Sequence, residues 1–353
     1  MTAFQSQAWL DCWQRSAASA KAEMPITVLV YRAGELGLVL PLSLSVKHGV
    51  RFLRWRGDSF NDYCGPIIDP ALLPVLTPAG VGVLLTKSVE KLGLVDVVYL
   101  QKQPGSYGAV ANPFVGEAAL PHHVQSHATE LGPSWDDYYR SKRSSKTRRR
   151  LKEKLNALSR LGTVEIGLCE DPDEARRLVA RELEFKSVQL ARRRNANPLS
   201  STEAAAFLTD YFGTHCAGRA WVAALRLDQD PIAIAYGFRN ADVWVLYQIA
   251  IKEGPYAAHS PGLHLFMHLL KTCCSQGVRY FDLSLGDESY KRDWCEMATT
   301  LFTTMLPVSG RGRLVVPSLK KAIAFKNFIA KRQTLLHRAR QFRYWAAPAL
   351  KAR

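Results

Sequence analysis

The sequence predicts an α/β (α+β) protein of two tandem modules followed by a basic helical tail. Three observations predict it. The 353 residues exceed one ordinary domain, for which roughly 100–200 is the norm. An order of hairpin, strand, helix and strand reads twice along the chain, without obvious sequence identity between the copies. The last stretch, 311–353, holds 12 Lys or Arg and no acid, with apolar residues between the charges. The expected division is therefore 1–130, 131–310 and 311–353.

In the first half, a helix carrying Trp9, Leu10 and Trp13 precedes a strand at 26–31. A turn at Ala33-Gly34 leads into a strand at 36–44, and 51–55 continues the sheet. A helix over 75–92 and an apolar strand at 95–100 complete the set. The segment 101–133, rich in Pro, Gly and His, reads as the crossing between modules. In 140–161, Leu151, Leu155, Leu158 and Leu161 recur at helical spacing, one buried stripe under a basic surface. The second copy has a hairpin, 220–227 and 231–238, turning at Asp228-Gln229-Asp230, then a strand at 243–249. A helix from Pro261 to about Ser275, stopped by Gly277, leads to a strand at 278–283. Two sheets side by side with helices on their faces is the economical architecture.

Composition narrows the classes. At 47% hydrophobic and 22% charged the chain buries a core, which excludes disordered and collagenous classes. No apolar run approaches the roughly 20 residues that cross a bilayer, and the N-terminus has no secretory pattern. Seven cysteines without a CxxC pair argue against a disulfide framework and a zinc cluster, so a reducing, cytoplasmic location is expected. The net charge of +16 is local: without 311–353 and the run 140–152, the rest has 27 basic against 31 acidic residues. Such runs attract polyanions. The tail reads as an amphipathic helix for peripheral contact with the inner face of an anionic membrane, or as one packed on the body.

The residues that suggest chemistry cluster at 243–294. Ser260 suits an N-cap, Pro261 the first helical position, and Gly262 close approach of a ligand to backbone. A helix start of this kind can receive a pyrophosphate. The next strand ends near Asp282 and Ser284, followed by Gly286, Asp287, Glu288, Tyr290 and Lys291. Functional groups in α/β sheets gather at such strand ends. Acyl transfer needs a base for the incoming nucleophile, a proton for the leaving thiolate and a stabiliser of negative charge. Asp282, Tyr290 and Lys291 suit those roles in turn, and Glu288 or Asp287 could replace Asp282. Each also has a structural reading: a turn cap, a packed ring, a solvated amine.

The segment around Ser260-Pro261-Gly262 and FDLSLGDESYKRDW resembles the acetyltransferases associated with cellulose and exopolysaccharide biosynthesis (CelD/BcsL-like). These belong to the GNAT superfamily and are related to the FemAB peptidyltransferases. The basic stretch 139–161 and the element Gly57-Asp58 with Asp62-Tyr63 extend the resemblance to most of the chain up to about Leu306. It implies tandem GNAT-like domains, each a mixed, mostly antiparallel sheet flanked by helices. It also implies acetyl-CoA or another acyl-CoA as donor and a small-molecule or glycan acceptor.

On this reading Tyr247, Gln248 and Ile249 join Ser260, Pro261 and Gly262 around the donor. Asp62, Tyr63, Ser284, Asp287 and Glu288 serve the acceptor. The loop before Gly262 departs from the usual GNAT pyrophosphate loop, having only Gly254 and Gly262. The related FemAB proteins use aminoacyl-tRNA, which keeps tRNA as an alternative donor, and a non-catalytic module docked on a membrane synthase is a third reading. His122-His123, His127, and His264 with His268 lack partners spaced for a metal, and Cys295 is a spare nucleophile. No GxSxG, Walker A or GxGxxG pattern occurs.

Overall fold

A computed structural model describes residues 2–16, 23–192, 199, 201–240, 242–286 and 288–346, with 330–346 as backbone. Its main strands are β1 (Glu23–Arg32), β2 (Glu35–Lys47), β3 (Val50–Trp55), β4 (Val97–Pro104), β5 (Leu120–Glu130), β6 (Val164–Cys169), β7 (Ala220–Leu227), β8 (Asp230–Arg239), β9 (Val243–Ile251), β10 (Tyr280–Leu285) and β11 (Met297–Pro307). The helices are α1 (Gln7–Arg15), α2 (Pro78–Leu92), α3 (Trp135–Lys142), α4 (Ser145–Ser159), α5 (Pro172–Arg192), α6 (Thr202–His215), α7 (Pro261–Ser275), α8 (Ser289–Trp294) and α9 (Gly310–Ala346).

The chain forms two compact units that interleave in sequence. The first comprises Glu23–Gln125 and Thr300–Arg353, the second Thr2–Ala22 and Ser126–Thr299. In the first unit β1, β2 and β3 pair antiparallel, β3 pairs β4 in parallel, and β11 closes the series antiparallel to β4. In the second, β6, β7, β8 and β9 pair antiparallel, β9 pairs β10 in parallel, and β5 closes antiparallel to β10. The two units thus repeat one mixed, mostly antiparallel plan, the duplicated α/β arrangement expected from the order of elements. The closing strand of each comes from the other half of the chain. Segment 101–133, expected as a crossing loop, carries β5. Its period-two signal is broken by Pro121 and the polar run from His122, so only the long-range pairing reveals it.

Helix α7 begins and ends where the Pro261 start and the Gly277 stop place it. Its face of Leu265, Phe266, Leu269, Leu270 and Cys273 packs on Trp221, Trp244, Phe281 and Leu283 of the sheet. Each such Leu or Phe side chain contributes about 1.5–3 kcal/mol on burial. Residues near the N-terminus complete the other aromatic nest of this unit: Phe4 and Trp9 meet Phe238 and Tyr247 edge-on or tilted.

In the first unit Val316 is buried with Val97 and Met305, and Leu319 and Ile323 of α9 pack on that cluster. The start of α9 is pinned by Asp96, which accepts from Arg51 Nε at 3.1 Å and Ser309 Oγ at 2.6 Å. Among the described residues, no helix is long and apolar enough to cross a membrane.

Candidate active site

Strands β9 and β10 run together only from Val243 opposite Tyr280 to Val245 opposite Asp282. Beyond that point β9 stays with β8 and β10 with β5, so the parallel neighbours part at their carboxyl ends. A bulge at Tyr247, between the pairs Leu246–Gly237 and Gln248–Tyr236, bends β9 just past the parting. The carbonyls of Ile249 and Ile251 accept from side chains of α5: Lys186 Nζ at 3.2 Å and Gln189 Nε2 at 2.9 Å. The amide and carbonyl of one residue in an antiparallel strand leave on the same edge. The Ile249 and Ile251 amides therefore lie on the edge of β9 away from β8.

The start of α7 presses against this edge. A Cβ on Gly262 would sit 2.9 Å from Ile251 Cγ2, so the absent side chain is required by the helix–strand contact itself. Ser260 takes the N-cap position in the left-handed region (φ 59°), but its hydroxyl makes no cap. Lys154 Nζ of α4 donates to Ser260 Oγ at 2.8 Å instead, a correction to the capping expected from the sequence. The Leu263 and His264 amides donate to the Ser260 carbonyl at 3.0 and 3.2 Å, and Pro261 has no amide hydrogen. Among the described residues, the Gly262 amide is therefore the one in the first turn with no cap. A cavity of about 680 Å³ opens here, lined by Ile249, Ile251, Gly262, Leu263, Phe266 and Tyr290.

Tyr290 stands edge-on to Phe266, with ring centroids 6.1 Å apart. Burial, with the Glu288 carboxyl and Cys295 thiol nearby, pushes its phenol well above the usual range, so it stays protonated at neutral pH. Lys291 is not a solvated amine: 4% exposed, it donates to the Leu285 carbonyl at 2.7 Å and pairs with Glu288 at 3.2 Å. Burial acts to raise the Glu288 carboxyl, but Lys291 and hydrogen bonds outweigh it and hold the group below its ordinary value. Gly286, at φ 142°, has no room for a Cβ, which would fall 2.2 Å from Glu288 Oε2 and 2.6 Å from Lys291 Nζ.

The remaining expected residues are placed elsewhere. The Asp282 carboxylate accepts the Ser284 amide at 2.7 Å, bracing a strand end where Ser284 is left-handed (φ 58°) and buried. Asp282 alternates with the core residues Phe281 and Leu283, so it faces away from α7 and does not line this cavity. Tyr247 contributes a backbone bulge, not a side chain: its ring is buried among Phe212, Phe238 and Trp9. Gln248 is half-buried and Pro261 is buried at the helix start. Asp62 and Tyr63 belong to the first unit, where Tyr63 is buried. Asp287 lies outside the described residues. Among the described residues no three His, Cys, Asp or Glu side chains gather to hold a metal.

Sequence reasoning missed one polar series at this site. Glu182, Lys186 and Gln189 lie at i, i+4 and i+7 on α5, one face of the helix. Glu182 is fully buried and accepts from the Tyr236 hydroxyl at 3.2 Å. Its Oε1 has no hydrogen-bond partner. Burial lifts its carboxyl to about 7, against the pull of Lys186 and Tyr236. An acid amid the apolar positions Leu178, Val179 and Leu183 was the available signal.

The end of β9, the start of α7 and the protonated Tyr290 phenol share one cavity. Residues 145–292 match the GNAT acetyltransferase domain. The matched stretch runs from the start of α4 into α8 and contains β9, Gly262, β10, Tyr290 and Lys291. No curated protein matches the chain. Among solved structures, FemX is similar at a TM-score of 0.58 and 10% identity, over 86% of this chain and 92% of its own. A conserved protein of unknown function from Bacteroides thetaiotaomicron VPI-5482 gives 0.54 at 10% identity, over 85% of this chain and 89% of its own. The C-terminal domain of a putative lysylphosphatidylglycerol synthetase from Agrobacterium fabrum gives 0.50 at 11%, over 86% and 91%. At such identities the likeness speaks for fold, and the fold is tandem GNAT-like.

Proposed function

We propose that this protein is an acyltransferase that takes the acyl group of acetyl-CoA, or of another acyl-CoA, and passes it to a polar nucleophile. The observation that supports this best is the single cavity shared by the open edge of β9, the start of α7 and the Tyr290 phenol. The Gly262 amide, at the positive end of α7 and without a side-chain cap, suits a pyrophosphate oxygen. The Ile249 amide is directed to the thioester carbonyl oxygen, where negative charge grows as the acceptor attacks. The C–S bond then breaks, and Tyr290 gives its proton to the leaving thiolate. Glu288, ionised and two residues before Tyr290 though not itself in the cavity lining, is assigned the proton lost by the acceptor amine or hydroxyl. Lys291 acts through position, tying the Leu285 carbonyl to Glu288 beneath Tyr290.

The resemblance of the Ser-Pro-Gly and Gly-Asp-Glu-x-Tyr-Lys elements to CelD/BcsL-like enzymes suggests a polysaccharide precursor or sugar nucleotide as acceptor. Calorimetric titration with CoA and acetyl-CoA tests the donor, and an absence of heat with both would end this reading. A salt-sensitive gel shift with tRNA in that case would move the donor to the aminoacyl class.

A further inference from the structure

A second cavity, of about 520 Å³, lies on the other side of α7, between that helix and α3–α4. It is not part of the site above: Gly262, Leu263 and Phe266 line the first cavity, whereas His264, Met267, His268 and Lys271 line this one. Its wall has two characters. Trp135 and Tyr139 stack at 4.9 Å with their planes 13° apart, giving an aromatic platform. Around it stand Arg149, Lys152 and Lys271, with Asp136 as the acid of the lining. Arg149 is ion-paired to Glu153 on the exposed side of α4, whereas Lys152 and Lys271 have no ion-pair partner among the described residues.

One feature of this wall points to a ligand independently of the charges. His264 is 4% exposed and lines the cavity, and its Nε2 has no hydrogen-bond partner. Its ring is held by the backbone of His259, a bond that must fall to Nδ1. With Nδ1 carrying the proton, Nε2 of the neutral ring is an unsatisfied acceptor, which a hydroxyl or N–H of a bound ligand would satisfy.

We propose that this cavity is a binding site for a phosphorylated small molecule bearing a planar ring, of the nucleoside diphosphate class. The ring stacks on Trp135, the phosphates meet Lys152 and Lys271, and a sugar hydroxyl donates to His264 Nε2. Stacking tolerates any flat ring, while two amines suit a diphosphate's separated charges. The inference does not rest on the acyltransferase reading, because its residues and its ligand are tested without an acyl donor.

The experiment is calorimetric titration of the full chain with ADP, adenosine and inorganic pyrophosphate as separate probes. ADP is expected to bind more tightly than either part alone. Lys152→Ala and Lys271→Ala, both at exposed positions, should each weaken ADP roughly fivefold. Trp135→Leu should weaken ADP about tenfold and leave pyrophosphate unchanged. The His264 ring resonances should shift on ADP addition. Failure of the wild type to bind ADP would overturn the proposal. So would ADP binding that ignores Lys152→Ala, Lys271→Ala and Trp135→Leu together, because the nucleotide would then occupy the acyl-donor cavity or the surface.

Discussion

The Lys291 ammonium donates to the Leu285 carbonyl at 2.7 Å, so the end of β10 and the start of α8 are tied by one buried amine. That bond, with the pair to Glu288, fixes the loop carrying Gly286 and delivers Tyr290 to the cavity. Replacing Lys291 with Met keeps most of the volume but leaves the Leu285 carbonyl without its donor. A stability loss of about 2 kcal/mol is expected, together with a fall in kcat, since Tyr290 loses its seat. Denaturant melts alongside steady-state kinetics check both. An unchanged melt would show that the tie holds nothing.

Tyr290→Phe isolates the phenol. The ring keeps its contact with Phe266, so the fold should be unaltered, and CoA affinity should stay within about twofold because no donor contact is removed. The rate of thiol release is expected to drop by roughly 10²–10³ if the phenol supplies the leaving-group proton. Because burial and Glu288 raise that phenol, the wild-type rate should not fall at mildly alkaline pH through loss of this acid. Full activity in the Phe variant would assign the proton to another group.

How far the sequence carried these conclusions depends on the range of the interaction that decides each. Local signals placed α7, because Ser260-Pro261 opens it and Gly277 follows it. Period-two runs placed β7, β8 and β9, because each strand's neighbour is its chain neighbour. The pairing of β5 with β10 joins Ala128 to Asp282, and no local pattern encodes a partner so distant. The site divides in the same way. Ile249, Gly262 and Tyr290 line one cavity, and all three were candidates from their positions at a strand end, a helix start and the following motif. Tyr247 and Asp282 failed to reach it because side-chain direction on a bulged or terminating strand depends on register. Glu182, Lys186 and Gln189 were invisible as a group until α5 was laid across β9.

Gly262→Ala tests the contact at the start of α7. The new methyl would lie 2.9 Å from Ile251 Cγ2, forcing helix and strand apart by a few tenths of an ångström or more. Overpacking of this kind costs about 1–3 kcal/mol. Since the cavity is bounded by the same two residues, affinity for CoA should weaken by roughly tenfold, with kcat less affected. Titration of the purified variant, with its melting temperature as control, reads both effects. Undiminished CoA affinity would place the donor elsewhere.

Helix α9 presents a second apolar face beyond the stripe packed on Val97 and Met305. Phe325 and Phe328 are 64% and 60% exposed, next to the exposed Lys321 and Lys326. Association with anionic membrane is expected from that combination. The protein should pellet with phosphatidylglycerol vesicles at low salt and remain in the supernatant with phosphatidylcholine alone. Phe325→Ser with Phe328→Ser should abolish pelleting without lowering the melting temperature, because neither ring is buried. Equal pelleting of wild type and double variant would remove the lipid reading of this face.

Glu182 gives the protein a pH dependence with a defined sign. Its carboxyl ionises near 4.5 when unfolded and at about 7 when buried in the fold, so the folded state holds the proton over that window. Unfolding therefore releases a proton between those values, and stability falls as pH rises from about 4.5 to about 7, then levels off. The total is on the order of 3 kcal/mol. Glu182→Gln keeps an acceptor for the Tyr236 hydroxyl and removes the titration. The variant should match the wild type near pH 5 and exceed it at pH 8, with the difference growing through pH 6. Urea unfolding at several pH values measures this directly. Parallel curves for the two proteins would mean that Lys186 already neutralises the buried charge, and would make Glu182 an ordinary partner of that amine.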